Sequence, residues 1–300
     1  MAQTEKEDSS HQQDMEQFNQ TLTTLRERYD DNRRAGIPSD NEAEFVAYRL
    51  ILASLYANSQ LENELHSLPN DLRSNRRVLT AIEIFKAAKS AFTFGSDKSW
   101  IQAHANWRKF WDLIKSPSVS YLMACAAEVT FNRVRHIILD SIWHAYRRGS
   151  KGDVCVEAWT TDKLKDVLAM DNDKDAVKLC ELYGFRFERS KEGRTFLDIS
   201  KLGNSNKSLG VPHTIKPQML SRTLVESKRH DRAFSAVIQG MTVQQARSSG
   251  LLVDPSTVQT GGEDSLFIPE TTKPNIFGQN TNGTTTNGVP NSSPFASPFQ

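Results

Sequence analysis

The stretch from Thr160 to Ser200 changes its hydrophobic period once, and this change constrains the fold more than any other feature of the chain. Its first half contains two short amphipathic patterns, Leu164 to Leu168 and Ala176 to Tyr183, in which apolar residues recur at helical spacing. Gly184 follows the second pattern and suits a helix stop, because glycine adopts the left-handed conformation without a steric cost. The first half therefore predicts two short helices.

Two strand-like runs follow Gly184. Phe185 and Phe187 alternate with charged residues, and Thr195 to Ile199 forms the second run. Between them, Ser190-Lys191-Glu192-Gly193 has the composition of a hairpin connection, with glycine where the turn needs it. The order helix, helix, strand, turn, strand predicts a small winged-helix module.

The region before this module contains further amphipathic helix patterns joined by short turns. They cover Glu42–Ala57, Asp71–Ala91, Lys98–Ile114 and Val119–Tyr146. Antiparallel helices with short connections are typical of a stack of helical hairpins, so we predict a mostly α chain with an α-solenoid before the winged helix. The tryptophans Trp100, Trp107 and Trp111 recur at near-helical spacing and are expected in its core.

Composition divides the chain into five segments. We predict a disordered or helical N-terminal segment (1–33), a helical repeat core (34–150), the winged helix (151–205), a basic arm ending in a helix over Leu220–Gly240 (206–240), and a disordered tail (241–300). The first twenty residues are rich in Gln, Glu, Asp and Ser, and the last forty in Thr, Asn, Gly, Ser and Pro, compositions that bury too little apolar surface to fold.

Several functional classes are disfavoured by the sequence. The three cysteines are scattered, so we expect a reducing compartment and no structural zinc site. No secretory signal pattern or membrane-length apolar run is present, which predicts a cytosolic or nuclear protein. Asp171, Asp173 and Asp175 alternate as in a calcium loop, but Leu182 occupies the position of the bidentate glutamate. No catalytic motif is evident, so we expect neither enzyme activity nor a cofactor.

A basic segment is the best functional candidate. Between Arg186 and Arg232 there are eleven Lys or Arg residues against five Asp or Glu. Lys and Arg bind nucleic acid mainly by neutralising phosphates, without particular base contacts. The predicted nucleic-acid-binding residues are Arg186, Arg189, Lys191, Arg194, Lys201, Lys207, Lys216, Lys228 and Arg229. A solvated surface, or contacts to an acidic partner subunit, would account for the same charges.

Four motifs carry a resemblance to a known family. They are Asn41 to Tyr48, Phe131 to Arg135 followed by Ala145 to Arg147, Ala176 to Phe185, and Leu224 to Lys228. In this order they resemble the SAC/GANP family of scaffolds in the second transcription–export complex, which couples transcription to mRNA export. The resemblance covers roughly residues 34–240, and the tail resembles fungal members.

The resemblance implies a PCI-type fold, which is a helical repeat followed by a winged helix. It further implies a nuclear location at the pore, a second PCI-domain protein as partner, a small acidic stabilising subunit, and a basic surface for RNA or single-stranded DNA. We expect partner contacts from the apolar face of the winged helix, at Val167, Leu168, Phe185 and Phe196. Phe277, Phe295 and Phe299 in the tail are candidate anchors for an mRNA export receptor.

An alternative assignment keeps the fold and changes the complex. A PCI subunit of the proteasome lid or of a translation-initiation complex would be an assembly protein without a nucleic-acid role. Steeply salt-dependent RNA affinity would favour the export scaffold, because phosphate contacts release counterions, and negligible affinity would favour the alternative.

Overall fold

The computed structural model describes the backbone of residues 2–54, 65–92, 99–147, 159–198, 209–212 and 221–253. Within these ranges the chain is mostly α-helical, as predicted, with one short hairpin. The helices before the hairpin include α1 (Ala2–Arg34), α2 (Glu42–Ala53), α3 (Asn70–Ser74), α4 (Arg76–Phe92), α5 (Ser99–Lys115), α6 (Tyr121–Glu128), α7 (Phe131–Arg147), α8 (Thr161–Leu168) and α9 (Asp173–Leu182). The two strands, β1 (Arg186–Arg189) and β2 (Thr195–Asp198), are followed by a 3₁₀ helix (Glu226–Arg229), α10 (Phe234–Ile238) and α11 (Val243–Ser248).

The N-terminal segment, for which the sequence leaves disorder and helix open, is one long helix from Ala2 to Arg34. Residues 2–34 contain no glycine or proline, which removes the strongest helix breakers. Leu22 is buried, and the ring of Tyr29 lies 6.4 Å from that of Phe45 on α2. The C-terminal part of α1 therefore packs on the helical core.

The core of the helical region is built from α2, α4, α5 and α7. Phe110, Trp111 and Phe131 form an aromatic cluster with ring centroids 5.1 to 6.1 Å apart in edge-to-face geometry. Trp107 and Trp111 are both buried, which confirms the core assignment for these two. The side chain of Trp100 lies outside the described residues.

The prediction of one helix from Val119 to Tyr146 is wrong, because α6 ends at Glu128 and α7 begins at Phe131. The Thr130 hydroxyl donates a hydrogen bond to Ala127 O at 2.7 Å, and this local bond competes with helix continuation. Similarly, Asn75 has extended ψ and separates α3 from α4 within the predicted Asp71–Ala91 helix.

The two helices predicted from the Thr160–Ser200 stretch are present as α8 and α9. Thr160 caps α8 and Asn172 caps α9, each accepting a backbone N–H three residues on. Gly184 ends the region at φ +84°, as expected for a left-handed stop. The stop lies at the residue where the sequence predicts it.

The hairpin is also confirmed. β1 and β2 are antiparallel, with Arg186 opposite Asp198 and Arg189 opposite Thr195. The backbone before α8 adds to the other edge of β2, since Thr160 bridges to Phe196. β2 is therefore the central strand of this small sheet, and β1 lies at an edge.

The C-terminal segment differs from the prediction of a single helix over Leu220–Gly240. His230 and Asp231 have left-handed φ angles of 52° and 57°, which break the helix after the 3₁₀ turn. The fold also continues past residue 240, because Leu252 bridges to Arg232 and Ala246 on α11 is buried. The compact unit extends to Val253, beyond residue 241, where the sequence predicts the tail to begin. The phenylalanines of the tail lie outside the described residues.

Candidate nucleic-acid interface

The hairpin presents four of the predicted basic side chains to solvent. Arg186, Arg189, Lys191 and Arg194 are all exposed. The connection between the strands is tight, because Gly193 N donates to Ser190 O at 2.9 Å and Ser190 N donates to Arg194 O at 2.7 Å. Gly193 has φ +82°, a conformation that side chains disfavour. The turn thus concentrates these cations on one short hairpin.

Three acidic residues share the hairpin with the four cations: Glu188 and Glu192 are exposed, and Asp198, opposite Arg186, is buried. Arg194 lies 3.4 Å from Glu192, with the two side chains 72% and 73% exposed. An ion pair this exposed contributes little free energy, so Arg194 can exchange Glu192 for a phosphate at small cost. Arg189 Nε makes only a long bond, 3.4 Å, to Gly193 O. The basic side chains are therefore available to an external anion.

The base of the hairpin is anchored in the core. Leu197 is fully buried, and its N–H donates to Trp159 O at 2.9 Å. The ring of Phe185 packs edge to face on Trp143 of α7 at 6.3 Å. An anchored base presents the charged turn in one orientation, which limits the entropy lost when it binds.

This packing revises the predicted partner surface. Leu168 and Phe185 are 0% and 2% exposed, and Phe196 is 9% exposed, so they stabilise the core and offer almost no surface to a partner. Val167 alone of the four is half-exposed. Leu168 and Phe185 belong to the hydrophobic core, and Phe196 lies on β2, which has neighbours on both edges.

Lys228 and Arg229 do not join the hairpin cations as predicted. Lys228 Nζ donates to Ser116 O at 2.8 Å and Val119 O at 3.2 Å. Arg229 is buried, pairs with Glu226 at 3.2 Å and stacks over Phe234. Their placement in the nucleic-acid surface is corrected, since both hold the C-terminal segment together. Lys201, Lys207 and Lys216 lie outside the described residues.

Comparison with known proteins assigns the chain to a family. Residues 1–189 match the SAC3/GANP family, a range that includes the helical core, α8, α9 and β1. The chain belongs to this family. Among curated relatives, SAC3 family protein 1 of Schizosaccharomyces pombe is 29% identical over 243 residues, and Protein xmas of Drosophila melanogaster is 27% identical over 182 residues.

These relatives are much longer than the region they share with this chain. The first alignment covers 79% of this chain and 22% of the fission-yeast protein. The second covers 61% of this chain and 8% of the fly protein. The similarity therefore concerns one region of each relative.

A buried arginine within the SAC3/GANP match joins the helical core to the hairpin module, which consists of α8, α9, β1 and β2. Arg135 on α7 is 1% exposed, and its guanidinium donates to Leu168 O and Ala169 O at 2.9 Å each. Trp111 Nε1 adds a bond to Val167 O at 3.2 Å. Burial lowers the pKa of Arg135 to about 10, against the opposing effect of nearby carboxylates, so the side chain stays protonated at neutral pH.

This clamp satisfies three consecutive carbonyls at the C-terminus of α8, where a positive charge also complements the helix dipole. Sequence reasoning missed it. Arg135 lies in one of the family-like motifs, but nothing in the local pattern distinguishes a buried arginine from an exposed one.

A second polar junction joins the α8–α9 connection to the C-terminal segment. Asp171 accepts from Arg222 N at 2.8 Å, Thr223 N at 2.9 Å and the Thr223 hydroxyl at 2.7 Å. Partial burial raises the pKa of Asp171, but these hydrogen bonds outweigh it and hold the pKa below its usual value. The role is structural, as the sequence-based rejection of a calcium loop would suggest.

The described residues contain neither a metal-binding cluster nor a membrane-spanning helix. No group of three His, Cys, Asp or Glu residues there could hold a metal ion. No helix in the same part of the chain combines the length and the apolar character needed to cross a membrane. Cys125 and Cys180 are free thiols, and burial raises the pKa of each, to about 11 and about 12.

Proposed function

We propose that the chain is a scaffold region of a transcription-coupled mRNA-export complex that contacts nucleic acid through its basic hairpin. The observation that carries the proposal is the set of four exposed cations on an anchored hairpin in a SAC3/GANP chain. Phosphate contacts of this kind need no base-specific geometry, which suits a scaffold that handles many transcripts.

The hairpin module is proposed to be a winged helix. Its supporting feature is the order α7, Thr160 bridge, α8, α9, β1, β2, in which the bridge pairs with the last strand. The helices before it would then be the helical repeat of a PCI fold. In this arrangement the turn between β1 and β2 is the wing, and it carries Lys191 and Arg194.

The proposed partners are a second PCI-domain protein with a small acidic stabilising subunit, at the nuclear pore. Of the apolar residues predicted to face the partner, Val167 remains a candidate, and Leu182 at the end of α9 is 40% exposed nearby in sequence. A pull-down from nuclear extract with Val167→Asp and Leu182→Asp variants, which place a negative charge on the apolar surface, tests this proposal. Loss of a PCI-domain protein from the recovered complex supports it, and unchanged recovery contradicts it.

The nucleic-acid proposal is tested by salt-titrated fluorescence anisotropy of a labelled single-stranded RNA. Charge reversal of Arg186, Arg189, Lys191 and Arg194 to Glu should remove the phosphate contacts. On a single strand each phosphate contact contributes roughly 0.7 to the slope of log affinity against log salt. If each of the four side chains makes one contact, the magnitude of that slope should fall by about 3.

The matched control reverses four exposed cations elsewhere, at Arg28, Lys86, Lys109 and Arg247, and so changes net charge equally. If the control lowers affinity and slope as much as the hairpin variant, binding reflects overall charge and the hairpin has no special role. If neither variant binds less RNA than the parent, the proposed contact through the hairpin is refuted.

A further inference from the structure

An open cavity of about 500 Å³ lies between the α5–α6 connection and the C-terminal segment. It is separate from the hairpin cations, none of which lines it. Eleven residues line it, and none of them is Asp or Glu. Four lining residues, Lys115, Lys228, His230 and Arg232, carry basic side chains. This charge asymmetry is the first indication of an anion site.

Lys228, in the cavity wall, is held in place by hydrogen bonds, and its positive charge is incompletely compensated. Lys228 Nζ donates to Ser116 O and Val119 O, which occupies two of its three N–H groups. Its partial burial lowers its pKa. In the part of the chain that the structure describes, no carboxylate lies within ion-pair distance of it. A dehydrated ammonium with only carbonyl partners gains free energy when an anion approaches.

Arg232 is fixed in the same way. Its guanidinium donates to Arg229 O and Met241 O at 2.8 Å each, and to Lys228 O at 3.2 Å. Two acidic side chains lie on the same segment. Asp231, between His230 and Arg232, is exposed, and Glu226 accepts from Tyr121 and pairs with Arg229 at 3.2 Å. Two positive charges are thus preorganised at the cavity, while Lys115 and His230 are exposed and able to close on a ligand.

The walls favour a peptide over a nucleic-acid strand. Proteins that bind single strands offer exposed aromatic rings on which bases stack. The ring of Tyr121 is only 4% exposed, and its hydroxyl is bonded to Glu226 at 2.8 Å. Of the other apolar lining residues, Val119 and Leu224 are each 2% exposed, so Pro117, which is exposed, is the apolar contact open to the residue next to a charged residue in a peptide.

We propose that this cavity binds a phosphorylated serine or threonine in a peptide of a partner protein. A phosphate monoester carries close to two negative charges and three acceptor oxygens, which matches the two fixed and two exposed basic side chains. The site is independent of the hairpin and would let phosphorylation of a partner control its attachment to this chain.

The test uses the full chain and an oriented phosphoserine peptide library, with the same library unphosphorylated as the reference. We expect selective retention of phosphorylated peptides, and anisotropy with a selected peptide should give affinity that inorganic phosphate competes away. The double variant Lys115→Gln, His230→Ala should weaken binding about tenfold, the effect of losing one to two charge-assisted hydrogen bonds. These side chains are exposed, so the variant tests the site without disturbing Lys228.

Two controls separate this site from general charge. Lys109→Gln removes an exposed lysine from another face of α5 and should leave peptide affinity unchanged. Hairpin variants at Arg186 and Arg189 should also leave it unchanged, whereas they should weaken RNA binding. Equal retention of the unphosphorylated library overturns the proposal. So does a loss of RNA affinity in the Lys115→Gln, His230→Ala variant with no loss of peptide affinity, because the cavity would then serve nucleic acid.

Discussion

Replacing Arg135 should destabilise the fold more than replacing any exposed arginine. Arg135→Met keeps an unbranched side chain of similar length and removes the guanidinium. Leu168 O and Ala169 O then lose their donors at the end of α8, with both residues buried. Each bond to a charged donor contributes about 1.5 to 3 kcal/mol. Leaving a buried acceptor without its donor costs about 1 to 3 kcal/mol, so two orphaned carbonyls predict a loss of about 3 kcal/mol for Met.

Urea unfolding followed by circular dichroism measures this loss as a shift of the midpoint at constant slope. Arg135→Lys should fall between Met and the parent, because an ammonium cannot form the forked pair of bonds. The control is Arg28→Met on the exposed face of α1, expected within about 0.5 kcal/mol of the parent. If Arg135→Met unfolds at the parent's midpoint, the dehydration cost of the guanidinium cancels its hydrogen bonds, and the clamp does not stabilise the fold.

Two further predictions concern stability. Asp171→Asn should cost about 1 kcal/mol at pH 7, because the amide N–H₂ then faces the N–H donor of Arg222 or Thr223. The loss stays this small because the site is partly exposed to water. The depressed pKa of Asp171 stabilises the fold above its ordinary value of 3.8, and this stabilisation is lost as the pH falls through the folded-state pKa. The difference in the free energy of unfolding between the Asn variant and the parent should therefore be smaller at pH 3 than at pH 7 when measured by urea unfolding. A constant difference would contradict the depressed pKa of Asp171. Gly184→Ala should cost about 1 kcal/mol through backbone strain alone, because its φ is +84° and an added Cβ meets no atom within 4 Å. Gly210→Ala, which is equally unobstructed but has no left-handed φ, should be neutral or slightly stabilising, and equal losses in the two variants would exclude strain as the cause.

Features that depend on neighbouring residues could be predicted from the sequence. The cap at Asn172, the stop at Gly184 and the turn at Gly193 each follow from the chemistry of one residue and its immediate neighbours. The register of the hairpin follows in turn, because a short connection leaves few ways to pair the strands. The exposure of the four hairpin cations was predictable for the same reason.

Features that depend on contacts between distant residues could not be predicted from the sequence. The hydrophobic pattern of α6 and α7 is continuous, and the break after Glu128 appears only when Thr130 bonds back to Ala127. Val167 and Leu168 are adjacent in sequence, yet only Val167 keeps exposed surface, because Leu168 faces the core formed with α7. Apolar periodicity identifies the face of a helix that is buried and does not distinguish burial in the core from burial by a partner.

The C-terminal segment shows most clearly why local patterns fail here. Its first described residue, Ser221, is buried and donates its N–H to the Glu128 carboxylate of α6, while its hydroxyl donates to Asp171 at 3.2 Å. Two carboxylates from different parts of the chain thus fix one backbone turn, and the helix suggested by Leu224 and Val225 gives way to it. Because Asp171 also follows α8, whose end is held by Arg135, the helical core, hairpin module and C-terminal segment share one polar junction. Loss of either Arg135 or Asp171 should therefore affect a common cooperative unit, and their double variant should be non-additive, as expected for residues in one network.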